Sequence, residues 1–249
     1  VREALRHEQV ALVFQPQSDI QGRPVGMEAL LRWQHPVRGL LAPAHFIAAC
    51  EDSGLIVPVG RWVLREAARH HRLLVERGWD SLRIAVNVSA AQFQHGLAED
   101  VAALMDEFAL PPKVLELELT ESVVMADPDA AIRSMAGLSE LGVSIAIDDF
   151  GTGYSSLAYL KRLPLDRLKL DRSFVQDLGR DPDDEAICDA IIRLAQSLGL
   201  STTAEGVETE TQWRWLMERG CEEVQGYLFA KPAPFEQIVE RLGGQRRRA

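Results

Sequence analysis

Two adjacent aspartates, Asp148 and Asp149, directly follow an apolar run typical of a strand, and a segment punctuated by Gly151 and Gly153 comes next. Because side chains alternate faces along a strand, Asp148 lies on the face of the small residues, at the strand's end. The two glycines give the following loop its backbone freedom. This pattern predicts the floor of an active site. A solvated turn has the same composition, so the rest of the chain must decide between them.

Polar residues also end the other predicted strands, or stand on the strand face opposite to the apolar residues. They are Glu28, Asn87, Glu118, Thr120, Lys169, Asp171, Glu205 and Gln225. A single glutamate in an alternating strand is more often on a solvent face. Several carboxylates at one barrel mouth, however, need cations to stay ionised together. Oxygen ligands with an asparagine carbonyl favour Mg²⁺ or Mn²⁺ over zinc, and none of the six histidines ends a strand.

The elements that must position these residues alternate between strand and helix. The predicted strands are 10–15, 25–33, 83–89, 114–120, 143–148, 167–171, 202–206 and 223–229. The predicted helices are 2–8, 44–51, 62–77, 97–109, 129–141, 156–162, 184–198, 210–219 and 235–242. The connection between the first two strands is too short for a parallel crossover, so this pair is antiparallel. We therefore predict an α/β fold, a (β/α)8 TIM-type barrel whose first strand is antiparallel to the rest and whose chemistry gathers at the carboxyl ends of the strands.

Length and composition agree with one large domain. The chain has 249 residues, and barrels of about 250 residues commonly form a single domain. It begins with a valine, so we expect residues 1–249 to be one domain cut from a longer signalling protein. The net charge of −10 argues against binding of long nucleic acid. No apolar run approaches the ~20 residues of a membrane span, and the three dispersed cysteines favour a reducing cytoplasm.

A series of short motifs resembles the EAL-domain phosphodiesterases that hydrolyse cyclic di-GMP. They stand in the family's order from about residue 10 to residue 232: QP at 15–16, EALLRW at 28–33, HP at 35–36, VNVS at 86–89, ELTES at 118–122, DDFGTGYSSL at 148–157, LKLD at 168–171, AEGVET at 204–209 and QGY at 225–227. One EAL triplet carries little information, but the ordered series is specific. The family's barrel also has an antiparallel first strand.

The resemblance implies two metal positions at the barrel mouth. The implied ligands are Glu28, Asn87, Glu118 and Asp148 for one metal, and Asp148, Asp149 and Glu205 for the other. Lys169 would contact the attacking water or the phosphate, and Gln225 would assist around the metals. The residues expected to be catalytic are Glu28, Asp149, Lys169, Glu205 and Gln225.

Substrate contacts are expected around the same mouth. The candidates are Gln15, Leu31, Arg32, Asp171, Glu208 and Phe229. Glu121 is implied to brace the loop that follows Asp149. No motif position departs from the family pattern, which favours an active enzyme over a silent receptor.

The implied reaction is metal-dependent hydrolysis of cyclic di-GMP to linear pGpG, which lowers the second-messenger level in bacterial signalling. The expected cofactor is Mg²⁺ or Mn²⁺ in a two-metal site. We expect Ca²⁺ to inhibit, because calcium prefers more ligands at longer distances. The implied partners are a second copy of the chain and an upstream sensory or diguanylate-cyclase-like domain. We expect a domain that lies in the cytoplasm without contacting the membrane.

Two other functions remain open at this point. A receptor that binds cyclic di-GMP without turnover would keep the same pocket. An inward lysine on a barrel strand could instead form a Schiff base, as in aldolase-like chemistry. Carboxylates around Lys169 disfavour this second function, because they keep the amine protonated and a poor nucleophile.

Overall fold

The computed structural model describes residues 9–153 and 157–246. Its strands form one sheet that closes into a barrel, because β1 pairs with both β2 and β9. The strands are β1 (Val10–Asp19), β2 (Pro24–His35), β3 (Gly39–Leu41), β4 (Arg83–Asn87), β5 (Leu115–Thr120), β6 (Ser144–Phe150), β7 (Arg167–Leu170), β8 (Ser201–Ala204) and β9 (Glu223–Val224). The prediction of an eight-stranded α/β barrel is confirmed, and β3 lies outside the barrel.

The first strand is antiparallel to both of its neighbours, and β2 and β4 to β9 run parallel to one another. In the β1–β2 ladder, Gln15 lies opposite Glu28. The strand continues through Pro16, where the sequence predicts its end. Proline is tolerated where one edge of a strand lacks a ladder partner, and β9 joins β1 only at Ser18 and Asp19.

Helices cover the outside of the barrel, after a 3₁₀ turn at Pro43–His45. They are α1 (Ile47–Asp52), α2 (Ile56–Glu76), α3 (Ala90–Gln94), α4 (Leu97–Phe108), α5 (Glu121–Ala126), α6 (Pro128–Glu140), α7 (Leu157–Leu160), α8 (Arg172–Val175), α9 (Pro182–Leu198), α10 (Glu210–Glu218) and α11 (Phe235–Arg246). The predicted helix at 2–8 lies outside the described residues, as does residue 156. No helix in the described ranges is long and apolar enough to cross a bilayer.

Two further differences from the prediction concern β9 and β3. The last barrel strand ends at Val224, whereas the sequence predicts a strand to residue 229. The chain turns there because Gly226 packs against the backbone of Val207, with no room for a side chain: a Cβ would lie 2.1 Å from the Val207 oxygen. The extra strand β3 folds back on the end of β2 through a turn at Gly39, which has a positive φ.

The alternation of β5 divides the interior of the barrel from its helix-covered outside. Leu115, Leu117 and Leu119 belong to the apolar core under the helices. Glu116 and Glu118 alternate with them and are also buried, so they point into the barrel. One strand therefore supplies a carboxylate to each of two interior layers.

The lower interior layer is an ion network, here called the floor quartet, of Arg83, Glu116, Arg167 and Glu223. Arg83 contacts Glu116 at 3.1 Å and Glu223 at 2.5 Å. Arg167 contacts Glu116 at 3.1 Å and Glu223 at 3.0 Å. These residues stand at the amino ends of their strands. The floor quartet thus fills the barrel below the layer that contains Glu118.

Candidate functional site

Lys169 lies at the centre of the upper interior layer and is fully buried. Its Nζ is 2.8 Å from Glu118 Oε1, 3.2 Å from Asp148 Oδ1 and 2.6 Å from Glu205 Oε1. The parallel register of β5 to β8 places these residues at neighbouring strand ends. The structure therefore brings together four of the residues that the sequence predicts for the site.

Glu28 forms a second group on the opposite side of the mouth. Asn87 Nδ2 donates to Glu28 Oε1 at 2.6 Å, and Gln225 Nε2 donates to Glu28 Oε2 at 2.5 Å. Gln225 also reaches Gln15 Oε1 at 3.2 Å, and Gln15 Nε2 donates to the Ala230 carbonyl at 3.0 Å. Four more predicted residues are thus joined by amide donors around one buried carboxylate.

Burial dominates the electrostatics around Lys169. It raises the pKa of Glu118 well above its usual value, and the negative charges of Glu28, Asp148 and Glu205 add to this against the attraction of Lys169. Burial likewise raises the pKa of Glu205 to about 8. Burial alone would lower the pKa of Lys169, but the surrounding carboxylates raise it well above its usual value. Lys169 is therefore an ammonium, which disfavours a Schiff base.

Asp149 is held in a left-handed backbone conformation, with φ of 54°. Its amide donates to Asp148 Oδ1 at 3.0 Å, and its carboxyl shares a hydrogen bond with Asp171. Burial, followed by the charges of Asp148 and Asp171, raises the pKa of Asp149 to about 6. Burial opposes ionisation of Asp171 too, but hydrogen bonds from Ser173 hold its pKa below the usual value. Asp149 is thus the protonated partner of this pair under mildly acidic conditions.

The donor chemistry of the site suits a hard divalent cation. Its side chains present oxygen, and both carboxylate oxygens of Glu118 are buried without an aligned hydrogen-bond donor. Three of the carboxylates, those of Glu118, Asp148 and Glu205, surround Lys169 Nζ. Within the described part of the chain, no group of three or more His, Cys, Asp or Glu has the arrangement of a formed metal site. The ligand types fit Mg²⁺ or Mn²⁺.

The loop after Asp149 contacts Glu121, the residue expected to brace it. Glu121 is buried, and its Oε2 accepts a hydrogen bond from the Gly151 amide at 3.0 Å. A Cβ on Gly153 would lie 2.8 Å from Glu121 Oε1, so only glycine fits against this carboxylate. Residues 154–156 of the loop lie outside the described residues.

The remaining substrate candidates do not all lie at the mouth. Arg32 is half-buried and donates to the Leu31 carbonyl at 2.8 Å, while the Leu31 side chain is buried in the core. Asp171 lies at the mouth with Asp149, and Glu208 follows β8 and is paired with Arg172.

Phe229 does not reach the mouth, contrary to the expected substrate contact. Its ring lies 5.8 Å from the Trp213 ring and close to Gly22, in the turn that joins β1 and β2 at the amino end of the barrel. The early end of β9 at Val224 places Phe229 after a turn instead of on a strand.

Tyr227 is an aromatic residue that sequence reasoning did not single out. It is 49% exposed, its hydroxyl is close enough to Arg32 to influence the pKa of that residue, and Lys231 Nζ lies 5.1 Å from its ring centroid. The QGY motif was the signal available for it, because this tyrosine follows Gln225 by two residues.

Comparison with known proteins gives consistent matches along the chain. The family model of the EAL domain matches residues 1–232. MucR of Pseudomonas aeruginosa, named a bifunctional diguanylate cyclase/cyclic di-GMP phosphodiesterase, is 48% identical over 241 residues. NbdA of the same species, named a cyclic di-GMP phosphodiesterase, is 46% identical over 248 residues. These matches cover 96% and 99% of this chain, but 35% and 32% of the relatives.

The fold is also shared with a solved structure. The phosphodiesterase of PaMucR, in a c-di-GMP complex, matches with a TM-score of 0.93 and 48% identity, covering 95% of this chain and 97% of the other. The chain spans about a third of the length of its curated relatives, so the comparison concerns one part of those proteins. Family model, relatives and structure agree with one another, and the chain belongs to the EAL domain family.

Proposed function

We propose that this chain hydrolyses cyclic di-GMP to linear pGpG and so lowers the level of this second messenger in bacterial signalling. The observation that carries the proposal is the cluster around Lys169 and Glu28 at the carboxyl ends of the strands, in which every predicted metal ligand is present. The names of MucR and NbdA and the c-di-GMP complex of PaMucR support the same substrate.

Membership of the EAL domain family implies a requirement for a divalent metal. We propose that it is Mg²⁺ or Mn²⁺ at two positions, held by Glu28, Asn87, Glu118, Asp148, Asp149 and Glu205. Bound there, the metals would neutralise charge on the phosphate and supply a hydroxide at neutral pH. Asn87 would bind through Oδ1, the oxygen of the amide whose nitrogen donates to Glu28.

The side chains have separate tasks in this proposal. Lys169 donates from Nζ to the attacking water or to a phosphate oxygen, and its positive charge counters the charge that builds up there. Gln225 holds Glu28 through Oε2, which fixes the orientation of that carboxylate. Gln15 and Arg32 bind the phosphate, and Asp171 and Glu208 accept hydrogen bonds from guanine.

A receptor that binds without turnover is the second candidate. It is disfavoured because the catalytic candidates Lys169 and Glu205 are in contact, and Glu28 and Gln225 form a second hydrogen-bonded group at the same mouth. Borohydride trapping without a substrate-dependent adduct would exclude the Schiff-base function.

We further propose a homodimer with contacts near α7, an upstream sensory or diguanylate-cyclase-like domain in the full protein, and a location in the cytoplasm.

Chromatographic measurement of pGpG release tests the proposal. We expect turnover of cyclic di-GMP with Mg²⁺ or Mn²⁺, none after chelation, and inhibition by Ca²⁺. The variant Glu28→Ala should lose turnover while it unfolds at or above the parent temperature, because one carboxylate is removed from a crowded layer. Glu140→Ala, an exposed change on α6, is the matched control. Parent-level pGpG release by Glu28→Ala would refute the role of Glu28, and absence of pGpG in the parent would refute the proposed reaction.

A further inference from the structure

We propose that Arg172 is a positioning residue that fixes the Glu208 carboxylate for recognition of the guanine edge. This inference rests on the proposed function, since it names a determinant of the same site's base specificity. Arg172 is not among the metal, catalytic or substrate residues described above, and its contacts link the ends of two barrel strands.

The contact itself is an ion pair between two loops of the mouth. Arg172 begins α8, directly after Asp171, and Glu208 lies four residues beyond the end of β8. Arg172 Nη2 donates to Glu208 Oε1 at 3.1 Å. No other side chain in residues 9–153 and 157–244 donates to this carboxylate. Arg172 therefore determines where the Glu208 carboxylate points.

The backbone of Glu208 is held by a separate contact. Its amide donates to Gln212 Oε1 at 2.8 Å, in the capping box that begins α10. Gln212 is buried and in turn donates to the Gln176 carbonyl at 2.9 Å. Removal of the Arg172 guanidinium therefore frees the Glu208 side chain without releasing its backbone.

The aliphatic part of the Arg172 side chain is closely packed, in addition to the ion pair made by its guanidinium. A Cβ on Gly206 would lie 2.4 Å from Arg172 Cγ and 2.9 Å from its Cβ, so the arginine crosses the glycine at close range. Gly206 also has a φ of 70°, which favours glycine. It directly follows Glu205, which contacts Lys169. The arginine is thus fixed over the backbone that connects the catalytic layer with Glu208.

The geometry suits recognition of a purine edge. Arg172 and Glu208 line a cavity of about 350 Å³ that leaves open space beside the carboxylate. Guanine presents N1–H and the N2 amine as neighbouring donors, and an ionised carboxylate is acceptor-only. A carboxylate held by a guanidinium stays oriented, so it accepts from these donors without first being ordered. We therefore expect Arg172 to act on substrate binding and base choice rather than on the chemical step.

Arg172→Met tests this, because methionine keeps an unbranched stem over Gly206 and removes the guanidinium. We expect KM for cyclic di-GMP to rise about fivefold, the scale of a partly exposed ion pair, with kcat within about twofold of the parent. Cyclic di-IMP, whose base lacks the N2 amine, provides the second readout. The preference for cyclic di-GMP over cyclic di-IMP in kcat/KM should fall in Arg172→Met, because a disordered carboxylate distinguishes the bases less well.

Arg193→Met is the matched control, since Arg193 forms an exposed ion pair with Asp189 on α9 at 2.6 Å. It should change neither KM nor the base preference. Addition of Arg172→Met to Glu208→Gln should change little beyond Glu208→Gln alone, because the guanidinium acts on base recognition only through that carboxylate.

Unchanged KM and base preference in Arg172→Met, or a loss confined to kcat, would overturn the inference. If the parent binds cyclic di-GMP without turnover, the proposed function fails separately. The dissociation constants of the two cyclic dinucleotides, measured by calorimetry for parent and Arg172→Met, then give the same test.

Discussion

At the scale of single residues, the site is governed by one buried cation among carboxylates. Lys169 has no exposed surface, and an isolated ammonium there would be strongly destabilised. Contacts with Glu118, Asp148 and Glu205 keep its pKa high, while burial, and after it the charges of the neighbouring acids, keeps the pKa of Glu118 and Glu205 high. In the proposed function, the same positive charge is available to an anionic phosphate. Stability and chemistry therefore depend on the same contacts.

Glu121 gives a prediction at this scale. The hydrogen bond that it accepts from the Gly151 amide holds the loop that begins at Asp149. Misplacement of reacting groups by about 1 Å can cost roughly a hundredfold in rate. We expect Glu121→Ala to lower kcat by about this factor and to lower the melting temperature by less than about 4 °C, which corresponds to about 1 kcal/mol for a chain of this size.

Glu121→Gln is the informative control, because its amide oxygen can still accept from Gly151. Its kcat should lie much closer to the parent value than that of Glu121→Ala. If Glu121→Ala releases pGpG at the parent rate with unchanged metal affinity, the loop does not control catalysis.

At the scale of elements, alternation along β5 assigns Glu118 to the site and Glu116 to the floor quartet. The floor quartet balances two arginines against two glutamates in an interior layer whose side chains are at most 12% exposed. Breaking a buried ion pair by removal of one partner leaves an uncompensated charge, which costs about 3–5 kcal/mol. The lower layer therefore supports the upper one through strands that they share.

Arg167→Met tests this role of the floor quartet. This change leaves the carboxylates of Glu116 and Glu223 with Arg83 as their remaining partner in the quartet. We expect the free energy of unfolding, measured by urea denaturation, to fall by about 3–5 kcal/mol. The kcat of the folded fraction should stay near the parent value, because the site residues are untouched. Arg133→Met, an exposed change on α6, serves as the control. Equal urea midpoints for Arg167→Met and the parent would show that the floor quartet does not stabilise the barrel.

Sequence patterns were sufficient for the barrel, its antiparallel first strand and most of the site. Each of these depends on local signals, such as a short first connection or a strand ending in carboxylates. The floor quartet was missed because Arg83 and Glu116 look like solvent-facing residues until the barrel closes around them. The position of Phe229 could not be predicted from the sequence for a similar reason. The end of β9 depends on contact between Gly226 and Val207, which are far apart in the local pattern and meet only in the folded chain.

At the scale of the whole molecule, the two ends of the described chain close the barrel together. β1 bridges β2 and β9, and Phe14 exchanges backbone hydrogen bonds with Ala233 at 2.8 and 3.0 Å. The helix α11 then covers β1: the Phe235 ring lies 5.5 Å from the Phe14 ring and 4.7 Å from the His70 ring. The EAL family model ends at residue 232, yet the segment beyond it completes the core.

This arrangement predicts that α11 unfolds with the barrel, as part of a single domain. Ile238 is fully buried, so Ile238→Ala should lower the free energy of unfolding by about 2–5 kcal/mol. Because β1 needs both α11 and its ladder partners, far-UV and near-UV circular dichroism should lose signal at one common urea concentration in parent and variant. Glu240→Ala, on the exposed side of the same helix, should leave the midpoint unchanged. A separate early transition, or an unchanged midpoint for Ile238→Ala, would mean that α11 is an independent appendage and that closure of the barrel does not depend on it.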